Sequence, residues 1–107
     1  MEAVERPTMI AMRTYRQGLQ LLLAACDEEL LGSKHAEGKF RLDVAPGFYD
    51  GARIDDAALV DHLRSATMAN LVGERAIALA IANGYIAAAN VLRVEGVPHA
   101  QFLVMEA

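Results

Sequence analysis

The spacing of hydrophobic and polar positions changes several times along this chain, and each change marks a predicted element. Met9 to Arg16 reads as a strand. Leu19 to Cys26 follows as a nearly unbroken apolar run, the pattern of a strand buried on both faces. Gln17-Gly18 between them reads as a two-residue turn, so the first unit is a hairpin at the centre of a sheet. Asp27-Glu28-Glu29 and then Leu30-Leu31-Gly32 predict a short helical turn, with Asp27 as N-cap, acids in the first turn and a glycine to end it. Ser33 to Gly38 reads as a polar connector. Phe40, Leu42 and Val44 alternate with Arg41 and Asp43, which predicts a third strand with one wet face, closed by a turn at Pro46-Gly47.

The helical period appears in the second half. Ile54 to Arg64 predicts a helix capped by Asp55, with Ile54 spaced to staple onto Leu59 and a buried stripe of Leu59, Val60 and Leu63. Ser65 to Gly73 reads as helical again, kinked or broken around Gly73. Glu74 to Asn83 predicts a second principal helix, apolar nearly all round and therefore mostly buried, with Gly84 past its end. Val91–Val94 and His99–Met105 form a second hairpin around Glu95 to Pro98. The expected fold class is α+β: a largely antiparallel sheet of two hairpins plus one strand, packed against two principal helices. Residues 1–8 read as a flexible leader and 9–107 as a single domain.

Composition sharpens this picture. At 107 residues, 54% hydrophobic and 22% charged, the chain has ample apolar material for one core and little for a second. Its apolar stretches, Leu21 to Cys26 among them, are too short to span a bilayer, and Met1 to Arg13 lacks the apolar core of a signal peptide. A cytoplasmic protein without a membrane partner is therefore expected. The single cysteine, Cys26, rules out an intrachain disulfide and any zinc site needing two thiolates from one chain. Ten basic against fourteen acidic residues give a net charge of −4, the wrong sign for a general nucleic-acid binder. That balance leaves room for a specific RNA or a basic protein partner.

Candidate chemistry is sparse, and no cofactor motif or metal-ligand spacing is present. Consecutive acids at Asp27-Glu28-Glu29 do not converge on a cation, and capping accounts for them. Cys26 next to those acids is a poor thiolate and reads as an apolar strand-end residue. His35 and His62 fall in a loop and on a wet helix face. His99 and Gln101 share one face of a strand just after Pro98, a placement suited either to reading a base edge or to acid–base work. Thr67, Asn70 and Glu74 lie three and four apart and share one face if their helix is continuous. Arg13, Arg16, Lys34, Lys39 and Arg41 are interleaved with acids, the ordinary composition of a solvated surface. Ala76 and Ala80, with Ala78 and Ala82 opposite, permit close packing against a sheet or a second copy of the chain.

Three stretches carry a family resemblance together: Ala25-Cys26-Asp27-Glu28-Glu29-Leu30-Leu31-Gly32, Ser65 through Arg75, and Asn90 through Gln101. In that order and spacing the chain resembles the archaeal family catalogued as domain of unknown function 424, over nearly all of Met9 to Met105. The resemblance implies an archaeal protein linked to information processing, translation among its settings, and supplies no catalytic residues. Glu95 stands where the family's turn is expected to carry a second glycine.

Three readings of function follow as expectations. The favoured one is a non-enzymatic module that binds RNA or a ribonucleoprotein through Thr67, Asn70, Glu74, His99 and Gln101. The alternatives are a small enzyme using His99 as acid or base with Glu74 or Cys26, and a homodimeric interaction adaptor.

Overall fold

The apolar run ending at Cys26 becomes the interior of a six-stranded sheet in a computed structural model that describes residues 9–105. The leader expected at Met1–Thr8 lies outside the described residues. In chain order the strands are β1 (Ile10–Gln17), β2 (Gln20–Asp27), β3 (Lys34–Glu37), β4 (Phe40–Asp43), β5 (Ala52–Ile54), β6 (Met68–Val72), β7 (Leu92–Val94) and β8 (Val97–Leu103). The helices are α1 (Pro46–Tyr49), α2 (Asp56–Ser65) and α3 (Glu74–Ala82). The main sheet runs β5-β1-β2-β6-β8-β7, and β3–β4 forms a separate hairpin. Every pairing is antiparallel except β2 with β6. The fold is α+β, as the sequence pattern predicts.

Both expected hairpins form. The first turns at Gly18-Leu19, one residue later than expected, because Gln17 still pairs with Gln20. The second turns on Glu95-Gly96, with φ of +51° and +80°. Two successive left-handed residues make the tight turn that follows the sheet's own twist. Glycine would adopt that conformation at position 95 without strain, and the glutamate has a compensating role. Its carboxylate accepts from Ala36 N at 2.7 Å, while its own N–H donates to Glu37 Oε1 at 2.7 Å. This exchange staples the β7–β8 turn to the β3–β4 hairpin.

Four expectations need correction. Ser65–Gly73 is not helical: Met68–Val72 is strand β6, inserted beside β2 with Leu22↔Met68 through Cys26↔Val72 in register. A five-residue apolar segment has no period long enough to separate strand from helix, and the neighbouring strand decides. Ser33–Gly38 contains strand β3 rather than a plain connector, so the strand predicted around Phe40–Val44 joins it in its own hairpin instead of extending the main sheet. Pro46-Gly47 opens the short helix α1 rather than a turn, with proline at the helix start where its missing N–H costs nothing. Helix α3 is buried on one side only: Ala76, Ile77 and Ala80 are covered, whereas Ala78, Ile81 and Ala82 are exposed. Helix α2, by contrast, follows the sequence reading. The Asp55 carboxylate accepts from Ala58 N at 2.9 Å, and Leu59 and Leu63 are fully buried.

The acidic triplet has a different role from the one its spacing predicts. Asp27 sits at the N-cap position of a 3₁₀ turn (Glu28–Leu30), but its side chain makes no cap bond there. Its carboxylate instead accepts from Arg75 N and Ala76 N, both at 3.0 Å, and so caps α3 from across the sheet. Burial pushes the Asp27 carboxyl above its ordinary value, against the opposing pull of the two amide donors. Gly73 makes this approach feasible, since a Cβ there would overlap the Asp27 carboxylate, and its φ of +110° is itself unfavourable for other residues. Glu28 ties down the opposite side, accepting from Met9 N at 3.3 Å and Arg53 Nε at 3.1 Å.

Two substitutions test this account of the fold. Asp27→Ala leaves two buried amide donors unpaired and is expected to cost about 2 kcal/mol or more. Gly73→Ala is expected to cost about 3 kcal/mol through strain and overlap. Denaturant unfolding of each variant, with circular dichroism as the probe, checks both.

Candidate sheet-face recognition site

The register of four strands sets side chains in rows across the sheet. On the face away from α2 and α3, one row is Ala11, Cys26, Val72 and His99. The next is Arg13, Ala24, Asn70 and Gln101, and the third is Tyr15, Leu22, Met68 and Leu103. Alternation along each strand makes these rows share a face. The first row lies under the β3–β4 hairpin and α1, where Leu42, Val44 and Tyr49 pack on Ala11, Cys26 and Val72. On β2, β6 and β8 that cover reaches Ala24 and then stops, while on β1 Phe48 stacks on Tyr15.

Beyond it the sheet face is open. Asn70, Leu22 and Met68 are partly exposed, Gln101 is exposed, and Leu103 is 57% exposed. Together with the adjoining backbone they line a shallow hollow of about 330 Å³. It runs on toward Tyr15, Gln17 and Gln20, which line a second hollow beside Leu22 and Met68. The floor is therefore half amide and half aliphatic. Asn and Gln each offer two donors and an acceptor, a set suited to reading either a base edge or a peptide backbone.

His99 stands at the end of the first row, half-buried between its cross-strand neighbours Val72 and Leu92. Burial lowers its pKa below the ordinary 6.5. At neutral pH the ring is uncharged and presents one donor and one acceptor.

Of the five residues singled out by sequence, Asn70 and Gln101 line the hollow and His99 lies one row away on the same face. His99 and Gln101 share a face as expected, and Asn70 joins them as the cross-strand partner of Gln101. Thr67 and Glu74 do not belong, because the helix meant to align them with Asn70 is a strand. The Thr67 hydroxyl accepts from Leu21 N at 2.8 Å and donates to Gln20 Oε1 at 2.9 Å, bracing the start of β6 against β2. Glu74 forms a bidentate ion pair with Arg93. Arg93 alternates with Leu92, the neighbour of His99, so Glu74 lies on the opposite face of the sheet. Cys26 is fully buried, and burial followed by the nearby Asp27 charge pushes its thiol up to about 12. His99, Glu74 and Cys26 thus do not converge on one point.

The aliphatic half of the site, Leu22, Met68 and Leu103, was missed by reasoning from sequence. Its only signal was the polar Asn70 interrupting an apolar strand, which marks a face lacking full cover. Arg13 is committed elsewhere: its guanidinium donates to Gly47 O at 3.0 Å and stacks 5.2 Å from the Tyr15 ring centre. A third hollow, of about 350 Å³, opens near the N-terminus of α3, between Asp27, Glu29, Leu30, Glu74 and the β7–β8 turn. Asp27 already occupies the anion position of that helix. Among the described residues no cluster of His, Cys, Asp and Glu is arranged to hold a metal, and no helix is long and apolar enough to cross a membrane.

The depressed pKa of His99 fixes the sign of a pH effect. The unfolded chain binds the proton more tightly than the folded one, so this residue's contribution is present above the unfolded value and lost as pH falls through the folded value. Unfolding free energy should therefore decline as pH drops below about 6.5, and His99→Gln should remove that component while leaving the higher-pH plateau. Denaturant titrations across that range decide it.

Comparison with known proteins places this arrangement. The crystal structure of an uncharacterized conserved protein from Methanopyrus kandleri is similar, with a TM-score of 0.77 over 92% of this chain and 96% of that one. At 24% identity this likeness shows a shared fold. No curated protein matches the chain. The family described as "Protein of unknown function (DUF424)" matches residues 14–105, a span that includes the three rows apart from Ala11 and Arg13. The chain belongs to that family.

Proposed function

We propose that the protein is a non-enzymatic binding module that docks on a ribonucleoprotein through the uncovered half of its sheet. The observation that carries this reading is the alignment of Asn70 and Gln101 beside Leu22, Met68 and Leu103 on a shallow face that the other described residues leave bare. A broad surface of amides and aliphatics suits recognition of exposed bases or an extended segment better than it suits catalysis. Neutral His99, in the neighbouring row of the same face, adds one more hydrogen-bonding group beside Gln101.

Charge narrows the mode of contact. The chain carries −4 overall, and Arg13 on this face is already engaged with Gly47. Phosphate neutralisation therefore supplies little of the affinity, and the association should depend only weakly on salt. This favours protein segments or unstacked bases within a ribonucleoprotein over bare duplex.

Gradient sedimentation of the native protein from its own cell lysate, with and without ribonuclease, tests the proposal. The expected result is co-migration with ribonucleoprotein fractions, release by ribonuclease, and loss of co-migration in Asn70→Ala and His99→Ala. A protein that stays at the top of the gradient under every condition contradicts it.

A further inference from the structure

The outer edge of β8 differs from every other strand edge in the described residues. Exposed edges are ordinarily protected by charge or by short length. Here β1 carries Arg13 and Arg16, β5 is three residues long with Arg53 in two ion pairs, and β7 is three residues long with Arg93. The β3–β4 hairpin carries Lys34, Glu37, Arg41 and Asp43. From Ala100 to Leu103, β8 has no charged residue.

That edge also has unpaired backbone. Pro98 O accepts from Gly73 N at 2.9 Å and Val104 N donates to Thr67 O at 2.7 Å, so even-numbered residues of this strand turn their backbone groups toward β6. Odd-numbered residues turn theirs the other way, where β7 meets Val97 and His99 and then ends. Gln101 and Leu103 are left facing outward, each with an N–H and a C=O that no described residue of the chain pairs. A row of this kind is a template for strand addition.

Helix α3 identifies the occupant. Arg75 pairs with Asp56 on the α2 side of the helix, and Glu74 pairs with Arg93 on the β7 side. Ala78 and Ile81 follow Glu74 at four and seven residues, so they lie along the β7 side of the helix. Both are exposed. An extended peptide would cover the edge and leave this apolar stripe wet. A second folded copy, bringing its own strand and helix, covers both.

We propose that two copies of this chain pair β8 with β8, antiparallel about Phe102, into one continuous twelve-stranded sheet. Gln101 of each copy then bonds Leu103 of the other, and the α3 stripes face one another across the axis. Because the two-fold axis is perpendicular to the sheet, the uncovered faces of both copies lie on one side and form a single surface. This inference stands independently of what that surface binds.

Sedimentation equilibrium of the purified full chain, combined with amide hydrogen exchange, tests it. The expected result is a dimer in which the Gln101 and Leu103 amides exchange as slowly as those of Ala100 and Phe102. Leu103→Lys, at an exposed side chain, should keep the native circular dichroism and raise the dimer dissociation constant about 100-fold or more. Gln101→Pro, whose lost N–H points outward and breaks no ladder bond to β6, should weaken the dimer in the same way. A monomer at every attainable concentration overturns the proposal. So does a dimer whose Gln101 and Leu103 amides exchange fast, or one that survives both substitutions.

Discussion

One carboxylate sets the geometry of this fold. Asp27 ends β2, is almost completely buried, and accepts the N–H groups of Arg75 and Ala76 at the start of α3. Those contacts join the two halves of the chain at the place where β6 runs parallel to β2 and the backbone turns into the helix. Gly73 is the corner of that turn, and its missing side chain is what lets the carboxylate approach. Leaving either amide unpaired in the interior would cost more than the bonds themselves contribute, so the cap works as a constraint rather than as an added attraction. The burial that raises the Asp27 carboxyl also keeps Cys26 beside it as a thiol.

With the strand order fixed there, the faces of the sheet become unequal. Helices α2 and α3 cover one face along its length, packing on Leu23, Ala25, Leu71 and Ala100. Among the described residues the other face is covered by a two-stranded hairpin, a four-residue helix and Leu30 and Leu31. These elements are too small to span it. They are held over the Cys26–Val72 end by the Glu95 and Glu37 contacts and by Tyr15, whose hydroxyl donates to Phe48 O at 2.7 Å. The bare remainder around Asn70 and Gln101 is a consequence of that anchoring, which is why the candidate site lies there.

How legible this was in the sequence depended on range. Both hairpins and the cap of α2 rest on contacts between near neighbours, and their turn residues and periodicity state them directly. Asp27 acts on residues 48 and 49 positions away, and no local pattern distinguishes that from capping its own turn. Strand β6 is helical or extended according to whether β2 lies alongside, so its five residues carry no signal of their own. The site was half legible for the same reason. His99 and Gln101 are two apart on one strand, whereas Asn70 reaches them only through register. Glu95 is instructive in another way, since a residue at odds with its turn's left-handed backbone marked the position where a side chain ties two hairpins together.

On the proposed reading, the bare half of the sheet is the surface that meets a ribonucleoprotein. Hydroxyl-radical footprinting of the native protein in lysate fractions, before and after ribonuclease treatment, addresses it most directly, because Met68 is a reactive side chain at the middle of that face. The account predicts that Met68 and Leu22 are protected in the ribonucleoprotein fractions and become reactive on release, while exposed residues of α2 react equally in both. Equal reactivity of Met68 in the two states would contradict it.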